Sequence, residues 1–501
     1  MPRQSPNIIY ILADDMGYGD LSCLNGQSAW QTPHLDRLAR EGLTCRDAHS
    51  SSAVCTPSRY NILTGRYNWR SSLKQGVLWG YSRALIEENR LTVAELLRRQ
   101  GYATACFGKW HLGWTWPKAA PGEAPFEDGV AYDQPIPDGP LSKGFDRYFG
   151  IPASLDMDPY VYVDQDRPTA IPDRWDPGRD EEKICFRESK QVWRPGPVAP
   201  DFVHEEVLQR CTDEAVRFIR EQSADQPFFV YFPLPAPHTP ILPTGRWRDR
   251  TVTRYGDFCL QVDDVVGQLL KALDERGIVD DTWVIFTSDN GCSPRADFPQ
   301  LAQYGHNPSY IFRGHKADIY EGGHRVPLLM RWPATIRAGS VTGETLCLGD
   351  FMATCADILG VELPDDAAED SVSQLPILRG EPIDGPLREA TVHHSIDGSF
   401  SIRQGRWKLE CCPGSGGWSW PSPYLDVDAI ADRPRFQLYD LKIDVREHHN
   451  RVDDRPDVVE RLIQLLARYV RDGRSTSGAP QPDSLGPDAT WDQLWWLPEK
   501  A

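Results

Sequence analysis

Asn7-Ile8-Ile9-Tyr10-Ile11-Leu12 is an almost wholly apolar run, and it passes directly into Ala13-Asp14-Asp15-Met16-Gly17. Apolar residues without alternation read as a strand buried on both faces, the pattern of a parallel sheet covered by helices. Two later stretches repeat the design. Residues 227–232 end in Pro233-Leu234-Pro235-Ala236-Pro237-His238, and residues 282–287 end in Ser288-Asp289-Asn290-Gly291. Helices are predicted over residues 91–99, 203–221 and 255–276; in the last, Phe258, Val262, Val265, Leu269 and Leu273 recur at helical spacing. The expected fold is α/β, a large, mostly parallel sheet sandwiched by helices. Ligands of such sheets sit beyond the carboxyl ends of the strands, which places Asp14, Asp15, His238, Asp289 and Asn290 along one edge.

The pattern changes after the acidic stretch 363–374. Short strands at 390–394, 399–403, 406–410 and 436–441, then a helix at 457–471, predict a smaller C-terminal α+β domain with an antiparallel sheet. The expected division is a large domain over residues 1–375, an antiparallel-sheet subdomain over 376–473, and a linker with a Trp-rich tail over 474–501. Trp491, Trp495 and Trp496 are expected to dock back onto the body.

A chain of 501 residues is too long for one ordinary core, and 40% hydrophobic with 25% charged residues is ordinary for a soluble enzyme. No apolar run is long enough to span a bilayer, so no membrane partner is expected. No signal peptide precedes the first strand; as written the chain is expected in the cytoplasm, or in the periplasm or outside the cell if a signal was trimmed. Its 12 cysteines show no CxxC pair or repeated spacing, which indicates neither a zinc site nor a disulfide framework; Cys411-Cys412 reads as two reduced thiols. A net charge of −18 argues against nucleic acid and repels long sulfated polyanions. A small or end-on substrate fits that balance.

The most informative run is Cys55-Thr56-Pro57-Ser58-Arg59-Tyr60-Asn61-Ile62-Leu63-Thr64-Gly65. Pro57 is tolerated in a first helical turn, so Cys55 is expected at a helix N-terminus, where free amides attract anions. Arg59, four residues on, shares its face. A nucleophile, an anion cradle and a guanidinium together point to chemistry on a tetrahedral oxyanion. In Gly108-Lys109-Trp110-His111-Leu112-Gly113, an extended backbone would point Lys109 and His111 the same way. Asp14, Asp15, Asp289 and Asn290 offer only oxygen, the ligand set of a hard divalent cation such as calcium or magnesium.

Cys55-x-Pro57-Ser58-Arg59 resembles the type I sulfatase signature, and residues 108–113 match the second signature of that family residue for residue. His238 in Ala236-Pro237-His238-Thr239-Pro240, Lys316 in Gly314-His315-Lys316-Ala317-Asp318, and Phe436-Gln437-Leu438-Tyr439-Asp440-Leu441 extend the likeness over nearly the whole chain. The chain is thus similar to formylglycine-dependent sulfatases of the alkaline-phosphatase-like superfamily, most of all to N-acetylgalactosamine-6-sulfatase and arylsulfatase A types. The resemblance implies that a maturation enzyme converts Cys55 to formylglycine, and that Asp14, Asp15, Asp289 and Asn290 hold calcium more often than magnesium. It also implies that Arg59, Lys109 and Lys316 surround the sulfate, that His111 serves the hydrated aldehyde, and that His238 stands beside the leaving group.

The implied reaction is exo-acting release of inorganic sulfate from a small sulfated saccharide. Residues 149–158 resemble carbohydrate-directed members; there Asp156 and Asp158, with His315 and His324, are candidate sugar contacts. The alternative is that the acids cap turns and the histidines orient neighbours. Of Trp79, Trp114, Trp116, Trp418 and Trp420, one or two are expected to stack on a sugar ring. Two rival readings are a phosphonate or phosphate ester hydrolase of the same superfamily, and a non-catalytic sulfoglycan-binding protein should Cys55 stay unconverted.

Overall fold

The apolar run at Asn7 forms β1 (Asn7–Ala13), every residue of it buried, inside a 10-stranded sheet. The computed structural model describes residues 5–180, 192–486 and 489–498. The remaining strands of the sheet are β2 (Leu43–His49), β3 (Ala103–Lys109), β4 (Arg147–Ile151), β5 (Val163–Asp164), β6 (Arg167–Pro168), β7 (Phe228–Pro233), β8 (Thr282–Ser288), β9 (Leu328–Arg331) and β10 (Ser340–Cys347). Their spatial order is β10-β2-β9-β8-β1-β7-β3-β4-β5-β6. β8, β1, β7, β3 and β4 are mutually parallel, as expected. Antiparallel pairing enters where β9 sits between β8 and β2, and in the β4–β5–β6 edge.

Register fixes what leaves the sheet together. Ala13 pairs with Ser288 and Leu12 with Pro233, so the segments after β1, β7 and β8 emerge side by side at one edge. Helices cover the sheet: α1 (Pro33–Glu41), α4 (Val207–Glu221) and α5 (Arg254–Arg276) pack together, as do α2 (Cys55–Thr64), α3 (Val93–Arg99) and the helix Phe351–Leu359. The five apolar residues read as the inner face of α5 are all buried. The Thr253 hydroxyl caps its start by accepting from the Gly256 amide, and Gly277, at φ 64°, ends it.

The C-terminal strands form an antiparallel sheet in chain order, β11 (Thr391–His394), β12 (Phe400–Gln404), β13 (Trp407–Glu410) and β14 (Gln437–Asp440), backed by the helix Pro456–Asp472. This small sheet is stitched to the body just ahead of Cys55. The His394 amide donates to Ser51 O (3.0 Å) and the Ala53 amide to His394 O (2.8 Å).

Two stretches read from composition behave differently in three dimensions. The acids of residues 363–374 are not all at the surface: Glu369 and Asp370 are buried, held by Arg66 and Arg90 and by Arg70 respectively. Residues 475–486 are no free linker, because the Ser484 amide donates to Arg70 O (2.9 Å) and Lys74 pairs with Asp483 (2.6 Å). Pro487 lies outside the described residues. Trp496 is buried and Trp491 stacks near Phe400, so the tail docks back as expected. Cys411 and Cys412 are both buried and unbridged. Among the described residues, no helix is long and apolar enough to cross a membrane.

Candidate active site

Four parallel strand ends, one helix start and the loop that carries Lys316 supply the site. Asp14 and Asp15 follow β1, Asp289 and Asn290 follow β8, His238 follows β7, and Lys109 and His111 end and follow β3. Close approach of β3 to β7 requires Gly108, at φ 118°, where a Cβ would stand 2.1 Å from Pro233 O. Cys55 is the first residue of α2, with Pro57 in its first turn. All ten residues of α2 are buried, so its polar side chains are satisfied internally. Ser58 Oγ donates to Ser52 O (2.9 Å) and Thr64 Oγ1 to Tyr60 O (2.7 Å).

Around Cys55, each buried acid has a cation at short range, and Asp14 has Arg59 as a second at 3.5 Å. Lys109 Nζ lies 2.7 Å from Asp14, Lys316 Nζ 2.7 Å from Asp15, and Arg59 Nη2 2.7 Å from Asp289. Cys55 Sγ is 3.6 Å from both Asp14 Oδ1 and Lys316 Nζ. Three carboxylates in one dry site cannot ionise with equal ease. Burial opposes charge on Asp14, but Lys109, His238, Arg59 and Lys316 hold its carboxyl well below the usual range. Burial pushes Asp289 up despite Arg59, with Asp14 adding to the rise. Burial also pushes the Cys55 thiol up, outweighing Lys109 and Lys316, so it stays protonated at neutral pH.

The donor set suits a hard cation. Asn290 donates Nδ2 to Asp15 Oδ1 (2.7 Å), while its Oδ1 is buried without a hydrogen-bond partner beside the three carboxylates. An unpartnered buried carbonyl in an all-oxygen cluster is what a calcium or magnesium ion would satisfy.

His111 corrects the expectation of an extended segment. Its φ is 54°, so the backbone turns left-handed after Lys109, and that turn brings the imidazole to the cavity. His111 Nε2 donates to Leu78 O (2.8 Å), which leaves Nδ1 as a bare, buried acceptor. Burial, then Lys109 and Arg59, hold this imidazole well below its ordinary pKa, so it is neutral. His238 uses Nδ1 on Thr239 O (2.6 Å), and its Nε2 lies 3.6 Å from Asp15.

A cavity of about 520 Å³ opens over Cys55, His111, His238 and Lys316. Of the candidate sugar contacts only Asp156 lines it. Asp158, past a tight turn, packs against Gly80 and Gly196 instead. His315 is directed at Lys316 O (2.9 Å) and Phe298. His324 is wholly buried under the small sheet, bonded to His49 Nδ1 (3.0 Å) and stacked on His393, because the turn Glu321–His324 faces that interface. Trp79 and Trp418 line the cavity; Trp114 and Trp116 belong to the core, and Trp420 is exposed. Sequence reading missed Ser154, whose buried Oγ faces the cavity without a partner, and Arg194 and Arg295 at its wall. Ser154 lies within the stretch 149–158 already singled out, whereas nothing around Arg194 or Arg295 marks them.

The sulfatase family profile matches residues 6–361. The chain is 34% identical to an N-acetylgalactosamine-6-O-sulfatase of Bacteroides thetaiotaomicron, over 92% of this chain and 93% of that protein. It is 32% identical to human arylsulfatase A, over 95% and 90% respectively. A solved structure from work on glycosaminoglycan metabolism by Bacteroides thetaiotaomicron superposes with a TM-score of 0.79 at 32% identity, covering 93% of this chain and 99% of that one. A phosphonate monoester hydrolase of Agrobacterium radiobacter, at 20% identity and a TM-score of 0.58, shares the fold alone; with sulfatases aligned along nearly the whole chain at 32–34% identity, the phosphonate reading is not favoured. With the family matched across its large domain and named sulfatases aligned along nearly its full length, the chain belongs to the sulfatase family and is a sulfuric ester hydrolase.

Proposed function

We propose that this sulfatase acts on a sulfated saccharide of the N-acetylhexosamine 6-sulfate class, exo-acting, through a formylglycine made from Cys55 by a maturation enzyme and a calcium ion held by Asp14, Asp15, Asp289 and Asn290. The observation that carries the proposal is the convergence of these oxygens with Arg59, Lys109 and Lys316 on Cys55 at the floor of one cavity. Support for the substrate class comes from the N-acetylgalactosamine-6-O-sulfatase similar along nearly the whole chain.

A protonated, buried Cys55 thiol is a poor nucleophile, in keeping with a modified side chain at this position. Formylglycine, when hydrated, supplies one hydroxyl for attack at sulfur and a second whose deprotonation frees sulfate. His111 Nδ1, neutral and without a partner, accepts that proton. Lys109, Lys316 and Arg59 neutralise charge on the sulfate oxygens as it develops, in a site where water does not screen them. His238 Nε2, with Nδ1 committed to Thr239, faces the leaving oxygen and exchanges a proton with it.

Sulfate release from 6-sulfated N-acetylhexosamines, other sulfated sugars and an aryl sulfate, using enzyme with verified formylglycine, tests the reading. Preference for one sugar regioisomer over the aryl ester supports it. Preference for the aryl ester removes the sugar assignment.

A further inference from the structure

His111 takes its orientation from a carbonyl that belongs to no regular element. Leu78 lies in the stretch 71–80, which holds neither helix nor strand, and its oxygen is the one hydrogen-bond partner of the His111 ring among the described residues. The His111 backbone is left-handed, at φ 54°, and its amide is tied to Pro152 O (3.0 Å). An imidazole with a single acceptor adopts the tautomer that acceptor dictates, so Leu78 O keeps the proton on Nε2 and leaves Nδ1 bare. A carbonyl with that task must itself be held in place.

It is held from the nucleophile's side. The Leu78 amide donates to Thr56 Oγ1 (3.2 Å), and Thr56 is wholly buried in the first turn of α2, next to Cys55. The neighbouring attachments of the loop run elsewhere: the Gly76 amide donates to Ile396 O (2.7 Å) and the Trp79 amide to Ser82 Oγ (2.8 Å). Residue 78 thus spends its amide on the helix of the nucleophile and its oxygen on the base. Cys55, Val77, Trp79 and His111 line the cavity, whereas Thr56 does not. Thr56 therefore acts on the reaction only through the loop. Removing its hydroxyl leaves the Leu78 amide without its partner, and a loop free to seek another carries the oxygen away from Nε2.

We infer that Thr56 is a positioning residue for His111: through residue 78 it fixes the imidazole in the Nε2–H tautomer, so that Nδ1 stays bare to receive a proton. This assignment rests on the reading of His111 as proton acceptor and deepens it. It also gives a task to the position that Cys55-x-Pro57-Ser58-Arg59 leaves open, which in this chain requires a hydroxyl.

The test uses metal-loaded enzyme with verified formylglycine, labelled with nitrogen-15 in its histidines. Imidazole NMR reads the tautomer apart from any turnover, with the His111 signal assigned by its loss in His111→Ala. Wild type should carry its His111 proton on Nε2 alone. Thr56→Val should give a mixture of tautomers and lower kcat roughly 10- to 100-fold, part of the roughly 10²- to 10⁴-fold a placed base contributes, with KM unmoved. Thr56→Ser, which keeps the oxygen, should restore both. Adding Thr56→Val to His111→Ala should cost no further kcat, because residues that act as a unit are not additive. Thr56→Ala is read in the same way if Thr56→Val does not fold. The assignment is overturned by a wild-type proton on Nδ1, by an unchanged tautomer or kcat in Thr56→Val, or by a loss carried in KM. A loss that Thr56→Ser does not restore, or a further loss in the double variant, overturns it equally; all of these leave His111 as the base. Near wild-type turnover in His111→Ala removes the base reading itself.

Discussion

His394 offers a test of how the small sheet supports the nucleophile. Its backbone bonds both Ser51 and Ala53, and its imidazole is buried with Nε2 unpartnered. Burial, assisted by Lys74, lowers its pKa from 6.5 to about 3. Above pH 6.5 the ring is neutral whether the chain is folded or not. As the pH falls below 6.5 the unfolded chain takes up a proton that the folded chain refuses, so stability is lost from there down to about pH 3. At pH 5 this amounts to about 2 kcal/mol from His394 alone. His204, lowered to about 4 chiefly by burial, adds a loss of about the same size. The perturbation is His394→Gln, which cannot titrate. Denaturant unfolding at pH 7 and pH 5 should show the wild type losing about 2 kcal/mol more than the variant over that interval. Equal losses in the two proteins would refute the reasoning, because the histidine would then titrate alike in both states.

Cys55→Ala should abolish sulfate release while calcium affinity, measured by calorimetry, persists; near wild-type turnover would remove Cys55 from the mechanism. Lys109→Met should lower kcat by roughly 10²- to 10³-fold, the scale of losing one charge-stabilising donor, and a change confined to KM would argue against that role. Calcium at about 100 times its Kd should stabilise the folded chain by about 2.7 kcal/mol, and chelator should reverse this. Asn290→Leu should blunt the gain, and an unaltered calcium response in that variant would exclude Asn290 as a ligand. Arg70 makes two 2.8 Å bonds to buried Asp370, so Arg70→Leu should destabilise by about 3–5 kcal/mol, read by denaturant titration.

The strand ends were legible because Asn7-Ile8-Ile9-Tyr10-Ile11-Leu12 and its two counterparts are apolar without alternation, and each is followed by its acids or by His238. Local pattern therefore placed Asp14, Asp15, His238 and Asp289 at one edge before any pairing was known. Other features depend on contacts between residues distant in sequence. Nothing near His324 says that His49 and His393 will enclose it. Asp156 and Asp158 look equivalent along the chain, and only the turn between them sends one to the cavity and the other against Gly80. The acidic stretch 363–374 reads only as a boundary, and the burial of Glu369 and Asp370 is not legible there because their arginine partners lie hundreds of residues away. His111 was identified by motif, yet its approach to the site depends on a left-handed backbone that spacing does not announce.

The docking of Asp483, Ser484 and Trp491 against Lys74 and Arg70 has a consequence for the order of events during synthesis. Those contacts hold the loop that ends at Leu78, whose oxygen orients His111, and at Trp79. On the ribosome, that loop emerges some four hundred residues before the segment that clamps it. Until then α2 lacks part of the surroundings that bury every residue from Cys55 to Arg59 in the folded chain. On the proposal that Cys55 is converted to formylglycine, the interval between the two emergences is the window in which that conversion would precede closure of the tail.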